Sequence, residues 1–318
     1  MAYIITDYPE LDDKLKHLPL RKRREIAFIM KTLFEQFAAA QKHKTHERKK
    51  NGHIVALVLF GSTARGGWVE DRGSGYFSDY DLLAVVDKEE FTDFEYWEKA
   101  EDLLIRENIR DRLKAPVGLI VHSNEDINSQ LGVGRPFFID IVRDGIMLYQ
   151  ARGHSFAKPG KLPPEQQREE AQKYFDQWYP SSLTALELSK FSFGKTKGEM
   201  NTYMRDAAFL AHQATERIYH CLLLSLKLYS PKLHHIGKLR DLAEDAAPEL
   251  ADIWPRNKKF YKRSFELLRR AYVEARYSPH YAITAEELTW LYQRIEDLQQ
   301  RVKQICETHL QAMENLSR

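Results

Sequence analysis

Cysteine is nearly absent: Cys221 and Cys306 are the only two in 318 residues, far apart and without partners at a metal-binding spacing. That scarcity excludes a disulfide framework and a cysteine-based zinc site, and it suits a reducing cytoplasm. Long apolar runs are missing as well. None approaches the roughly 18 to 20 residues that span a bilayer, and no leader-type apolar segment follows Met1. The expectation is a soluble, cytoplasmic chain with no membrane partner. Charge of one sign is also lacking, since 48 Lys and Arg face 46 Asp and Glu, for a net charge of +2. No global electrostatic footprint for nucleic acid results, although local basic clusters stay open. With 43% hydrophobic and 12% aromatic residues the composition lacks the signature of disorder, and the length is comfortable for two domains with separate cores.

The stretch from Leu57 to Asp87, LVLFGSTARGGWVEDRGSGYFSDYDLLAVVD, is the one that carries chemistry. An apolar run from His53 to Phe60 reads as a buried strand and stops at Gly61-Ser62. A polar, glycine-rich segment follows and ends at Asp79-Tyr80-Asp81, which heads a second apolar run. Residues two apart on a strand point to the same side, so Asp79 and Asp81 share one. Like charges repel and are costly beside an apolar core. A divalent cation such as Mg2+, its shell completed by a substrate phosphate, relieves both problems. Gly61 suits a close approach of backbone amides to phosphate oxygens. The bland alternative is a glycine-rich turn and an Asp-rich strand start that caps a hairpin.

This order of residues resembles the signature of the DNA polymerase beta-like nucleotidyltransferases, above all the minimal ones: Gly-Ser-x-Ala-Arg-Gly, a spacer, then Ser-Asp-x-Asp-Leu. Gly61, Ser62, Ala64, Arg65, Gly66, Ser78, Asp79, Asp81 and Leu82 match it. The resemblance implies an NTP, ATP foremost, as co-substrate, with two Mg2+ ions held by Asp79 and Asp81. It further implies that Ser62 and the backbone around Gly61 hold the β and γ phosphates, with Arg65 placed against leaving-group charge. The spacer is several residues longer than the pattern, and the extra segment Trp68 to Phe77 is expected to be an enlarged loop over the nucleotide.

Upstream, Arg21 to Ala40 repeats apolar residues at three- and four-residue spacing and predicts an amphipathic helix packed on the sheet. Gln41 to Lys50, with His43 and His46, reads as a basic, solvated connector. Downstream, Phe91 to Leu113 predicts a helix with Trp97, Leu103, Leu104 and Ile109 inward, Pro116 to His122 a short strand, and Asn124 to Leu131 a brief helix or turn. Pro136 to Val142, PFFIDIV, reads as another strand with Asp140 inside it. A carboxylate so placed needs a cationic partner. The resemblance makes Asp140 the third acidic residue, on a strand beside the Asp-x-Asp strand, as metal ligand or as base for the acceptor hydroxyl. The alternative is a structural pair with Arg143 or Arg135. Asp144-Gly145 then turns into Ile146 to Tyr149, which closes the first domain.

Gln150 to Pro164 holds Gly153, Pro159, Gly160, Pro163 and Pro164 and breaks both helix and strand. It divides the chain into a first domain at 1–150, a linker at 151–164 and a second domain at 165–318. Beyond it the period is helical: Glu165 to Phe193, bent at Pro180, then Glu199 to Leu228, His235 to Ala246, Arg256 to Arg276, and Thr284 to Leu310. The last opens with a capping box, Thr284 and Glu287. Such helices make an antiparallel bundle. Ala208, Ala211-His212-Gln213-Ala214, Glu216, Pro231, His234-His235, Ala271-Tyr272 and Ala275-Arg276-Tyr277 together resemble a HEPN domain. RNA-cleaving members carry Arg, four to six residues, then His. Here Arg276-Tyr-Ser-Pro-His280 is one residue short, and Pro279 breaks the helix that would present the pair. His212 reads as a hydrogen-bonded core or groove residue, and His234 and His235 as residues before a helix start.

The expected fold class is an α+β nucleotidyltransferase domain, a mixed sheet with flanking helices, followed by an all-α antiparallel bundle. The whole is similar to kanamycin-type nucleotidyltransferases, which implies a homodimer with sites between domains. The expected function is pyrophosphate-releasing transfer of an NMP, AMP foremost, to an unidentified hydroxyl on a small molecule, protein or RNA, the bundle helping to form the acceptor or nucleotide site. Asp79, Asp81 and Asp140 are the candidate catalytic and metal-binding residues, and Gly61, Ser62 and Arg65 the candidate nucleotide-binding ones. Two other readings stand beside it. One is a HEPN RNase toxin restrained by a fused nucleotidyltransferase that modifies Tyr277 or Tyr281. The other is a nucleotide-binding regulatory protein without turnover, against which the carboxylates argue.

Overall fold

The computed structural model describes residues 9–42, 44, 46, 49–68, 70–71, 76–196, 202–231 and 234–317. His43 of the connector, Glu199 at an expected helix start, and residues 69 and 72–75 of the expected nucleotide loop lie outside the described residues. The chain divides into two compact units, Met1–Lys161 and Leu162–Arg318.

In the first unit, α1 (Pro9–Lys14) and α2 (Leu20–Gln41) precede β1 (Ile54–Phe60), the short α3 (Gly61–Arg65), and the two-residue strands β2 (Glu70–Asp71) and β3 (Tyr76–Phe77). Then follow β4 (Tyr80–Val86), α4 (Glu98–Ile109), β5 (Val117–Ser123), α5 (Asn124–Val133), α6 (Pro136–Asp144) and β6 (Ile146–Gln150). The main sheet has the order β5-β4-β1-β6, with β1 antiparallel to both neighbours and β4 parallel to β5. Every residue of β1 is buried. A strand covered on both faces needs no polar alternation, which is why IVALVLF is apolar throughout. On one face Leu57, Leu59, Leu82, Ala84 and Leu119 join Ile26, Ile29 and Leu33 of α2 and Ala100 and Leu104 of α4 in one core. On the other, Phe60 meets Phe137 of α6 edge-on at 6.0 Å.

Two expectations are corrected here. The helix expected from Phe91 begins only at Glu98, after 3-10 turns at Glu89–Thr92 and Phe94–Tyr96. Trp97 and Leu104 are buried, but Leu103 and Ile109 are 36% and 77% exposed rather than inward. The second correction is that Pro136 to Val142 is not a strand; it lies in α6. Gly134, at φ 93, ends α5, and Pro136 then occupies the first turn of α6, where its fixed φ and missing N–H cost nothing. Phe137, Phe138 and Ile141 fall on the buried face at helical spacing. A run this short fits either period, and the glycine and proline before it decide for helix.

The second unit comprises α7 (Pro164–Gly194), α8 (Thr202–Lys227), α9 (Ile236–Ala246), a 3-10 turn at Pro248–Leu250, α10 (Lys259–Tyr277) and α11 (Ala285–Ser317). α8 is its axis: Ala207, Ala208, Ala211, Ala214, Ile218 and Leu222 are all fully buried. Ser182 and Ser189 of α7 donate to the carbonyls of Ala214 and Ala207 at 2.7 and 2.6 Å, so these hydroxyls face α8 without being left unpaired. α7 continues through Pro180. The capping box is formed, Thr284 N donating to Glu287 Oε2 at 2.9 Å and Glu287 N to Thr284 Oγ1 at 3.1 Å. No helix among the described residues is long and apolar enough to cross a membrane.

Candidate functional site

β1 and β4 pair with Phe60 opposite Asp81, so the turn leaving β1 lies beside the strand mouth that carries the carboxylates. Gly61 adopts φ 72, and a Cβ there would collide with Asp81 Oδ2. The parallel register sets Gly118 of β5 against Asp81 from the other side, where a Cβ would stand 2.8 Å from Asp81 Oδ1. Each oxygen of Asp81 therefore lies where a Cβ on Gly61 or Gly118 would crowd it, so a side chain at either position would shift the carboxylate. Asp79 sits just ahead of β4. Its carbonyl accepts from Thr63 Oγ1 at 2.9 Å, and Thr63 is fully buried. The next amide, Tyr80 N, donates to Pro116 O at 2.9 Å. Gly66, at φ 79, closes α3, and Gly67 N donates to Ser62 O at 3.0 Å. Ser62, Asp79 and Asp81 are half-buried and Arg65 is exposed. The Gly-Ser turn and the two carboxylates thus meet at one end of the sheet.

Asp140 stands elsewhere than expected. It lies on α6, a third of its side chain exposed, with Arg143 Nη2 3.0 Å from its Oδ1. The strand that does lie beside β4 is β5, VGLIVHS, which holds no carboxylate and offers Gly118 in register with Asp81. Gly118 is the residue that sequence reasoning missed. Its signal was a glycine inside an apolar strand, which marks a close backbone approach. Mg2+ commonly takes one or two carboxylates and completes its shell with phosphate and water, so Asp79 and Asp81 fit an ion shared with a triphosphate. Among the described residues no group of three or more His, Cys, Asp and Glu could hold a metal by itself. The segment expected over the nucleotide is tied to α2 at its described residues: Trp68 packs against the core shared with α2, and Glu70 pairs with Arg21 and Lys22.

In the second unit α10 ends at Tyr277, and Ser278 is extended at φ −94 and ψ 124, the geometry favoured before a proline. Arg276 stays on the helix, its Nε donating to Tyr272 O at 2.6 Å and its guanidinium lying over the Tyr272 and Phe209 rings at 4.5 and 4.9 Å. His280 lies past the helix end and is exposed, so the two are not presented from one helical face. Tyr281 is buried with its hydroxyl donating to Leu267 O at 3.0 Å, and burial pushes its pKa up, whereas Tyr277 is 73% exposed. His212 is a core residue, Nδ1 2.9 Å from Leu268 O and Nε2 3.1 Å from His234 O. His235 is the N-cap of α9, accepting from Lys238 N at 3.1 Å. A polar network missed in the sequence centres on buried Glu216, which has His212 Nε2 at 3.4 Å, His234 Nδ1 at 3.2 Å and His220 Nε2 at 4.0 Å.

Residues 177–307 match the HEPN domain family, so the second unit carries a HEPN domain. No curated protein matches the chain.

Proposed function

We propose that the first unit is a Mg2+-dependent nucleotidyltransferase, moving an NMP, AMP foremost, from an NTP to a hydroxyl acceptor with release of pyrophosphate. The observation that supports this most is the Asp81 carboxylate seated between Gly61 and Gly118, at the end of β1 where Ser62 and Asp79 also stand. In this reading Asp79 and Asp81 hold the metal, Ser62 and the backbone at Gly61 hold the β and γ phosphates, and Arg65 meets the charge that develops on the leaving group. Bound there, Mg2+ would neutralise phosphate charge and polarise the phosphoryl oxygens. The strand on which the role of Asp140 rested is a helix, and Asp140 lies on α6 with Arg143 Nη2 3.0 Å away, so this reading assigns it no step.

A second reading, nucleotide binding without turnover, is favoured by Gly118, since β5 brings no third carboxylate to accept the proton of an acceptor hydroxyl. The test is incubation of the whole chain with α-labelled ATP, Mg2+ and a panel of acceptors. Pyrophosphate release by the wild type and not by Asp81→Asn supports transfer. Saturable ATP binding without pyrophosphate from any acceptor supports the second reading. Any self-labelling is expected on exposed Tyr277 and not on buried Tyr281. RNA is expected to stay intact, given the helix end between Arg276 and His280. Cleavage by the wild type that His280→Ala abolishes would restore the RNase reading.

A further inference from the structure

The end of the sheet opposite Gly61 holds a cavity of about 470 Å³, inside the span of roughly 300 to 1,000 Å³ typical of small-molecule sites. It lies where β1 begins: Ile54 pairs with Val86 at the far end of β4, and Ala151 N, just past β6, donates to Val55 O at 2.8 Å. One wall is aromatic. Phe34 of α2 meets Tyr149 of β6 edge-on at 5.0 Å, and both rings are half-buried, so each keeps surface to offer inside the cavity. The rim is built from fixed pieces. Gln41 clamps the end of α2 to the chain entering β1, its amide nitrogen donating to Phe37 O and Gly52 O at 3.3 and 3.1 Å and its oxygen accepting from Gly52 N at 2.7 Å. A Cβ on Gly52 would run into the Phe91 ring, so the clamp needs glycine there.

The turn after β6 completes the rim. His154 N donates to Ala151 O at 3.3 Å and Gln150 Nε2 to His154 O at 2.9 Å, with Gly153 at φ 82 between them, and this closed turn sets Arg152 and His154 in the lining. Asp87 lines the same cavity but is engaged: its Oδ1 accepts from His53 N at 2.9 Å, and its Oδ2 lies 3.4 Å from His53 Nδ1. Arg152 is not engaged. Among the described residues its guanidinium makes no hydrogen bond or ion pair, and neither does the ring of His154 or the hydroxyl of Tyr149. A lone surface arginine says little, but this one has five donors at the mouth of a formed, aromatic-walled cavity. The cavity is roughly 20 Å along β1 from Gly61 and does not depend on the transferase reading.

We propose that this cavity binds a small aromatic carboxylate, its flat ring against Phe34 and Tyr149 and its two oxygens on the planar fork of Arg152, with His154 beside them. Asp87 limits the ligand to a single negative charge, because a carboxylate in the lining repels a dianion such as a phosphate monoester more strongly than a monoanion. Three probes that differ only in the head group test this by equilibrium dialysis against the full chain: 2-naphthoate, the neutral 2-naphthamide and the dianion 2-naphthyl phosphate. The wild type is expected to bind one 2-naphthoate per chain, about tenfold or more tighter than either of the others. Arg152→Gln should weaken 2-naphthoate by a similar factor, and Ala38→Trp, which fills the cavity from its rim, should remove it. Both positions are exposed, so both variants should keep the fold and its thermal transition. No saturable binding of 2-naphthoate by the wild type overturns the proposal, as does binding that either substitution leaves at wild-type strength. Equal affinity for 2-naphthamide would overturn the carboxylate assignment, and equal affinity for 2-naphthyl phosphate the limit to one charge.

Discussion

Asp81 in the first unit and Glu216 in the second are both carboxylates drawn partly out of water, and they are held in opposite ways. Asp81 is located by what its neighbours lack, a side chain at Gly61 and another at Gly118. Glu216 is located by what its neighbours have, the ring nitrogens of His212 and His234. The first arrangement is steric and answers to a single added methyl group. The second is electrostatic and answers gradually to pH and to each lost partner. The glycines set where the Asp81 carboxylate can stand, whereas the histidines set how readily the Glu216 carboxyl gives up its proton.

The sharpest way to break this contrast is Gly118→Ala. The new Cβ would stand 2.8 Å from Asp81 Oδ1 and push the carboxylate aside. A displacement near 1 Å at a reacting centre costs about 100-fold, so NMP transfer should fall by that order while the unfolding transition moves little. Unchanged transfer kinetics in a folded Gly118→Ala protein would mean that Asp81 has no part in the reaction. Next in size is Glu216→Ala, which removes the acceptor shared by buried His212 and exposed His234 and should cost about 1 to 3 kcal/mol in denaturant unfolding of the second unit. Transfer by the first unit should be untouched.

Acid supplies a finer comparison. Burial pushes the Glu216 carboxyl up, but its bonds to His212 and His234 outweigh burial and hold it below 4.5. A carboxyl lowered on folding adds stability above its unfolded pKa and loses it as pH falls through the folded value. Wild-type stability should therefore decline more steeply than that of Glu216→Gln below about pH 4.5. Parallel curves would show that Glu216 is not held down by its histidines. The smallest effect is expected for Asp140→Ala: its pair with Arg143 is exposed, and such pairs are worth about 0 to 1 kcal/mol. Transfer kinetics should stay near wild type, and a large loss of rate with stability intact would return Asp140 to the site.

The sheet end was legible in the sequence because its parts are contiguous. A strand, Gly-Ser and Asp-x-Asp follow one another, and a period of two fixes their sides. What brings Gly118 to Asp81 is the parallel pairing of β4 with β5, a long-range register that no local period encodes. The strand expected at Pro136 to Val142 failed for a different reason, since Phe137, Phe138 and Ile141 satisfy a helical face as well as a strand does and Gly134 punctuates the start. In the helical unit, residues such as Ala211, His212 and Ala271 were readable as landmarks. The Glu216 network was not, because His234 reaches it from beyond the end of α8 and only packing brings the two together. Pro279, a local signal, did foretell that α10 would end before His280.

The seat of Asp81 also limits the routes by which this sequence can drift. While Asp81 is present, neither Gly61 nor Gly118 can acquire a side chain without displacing it. Were Asp81 first replaced by glycine or alanine, a larger residue at 118 would become neutral or even fill a void. From that background a returning aspartate would have its carboxylate pushed aside by the new Cβ. The packing therefore couples the two positions: what position 118 can carry depends on what stands at position 81.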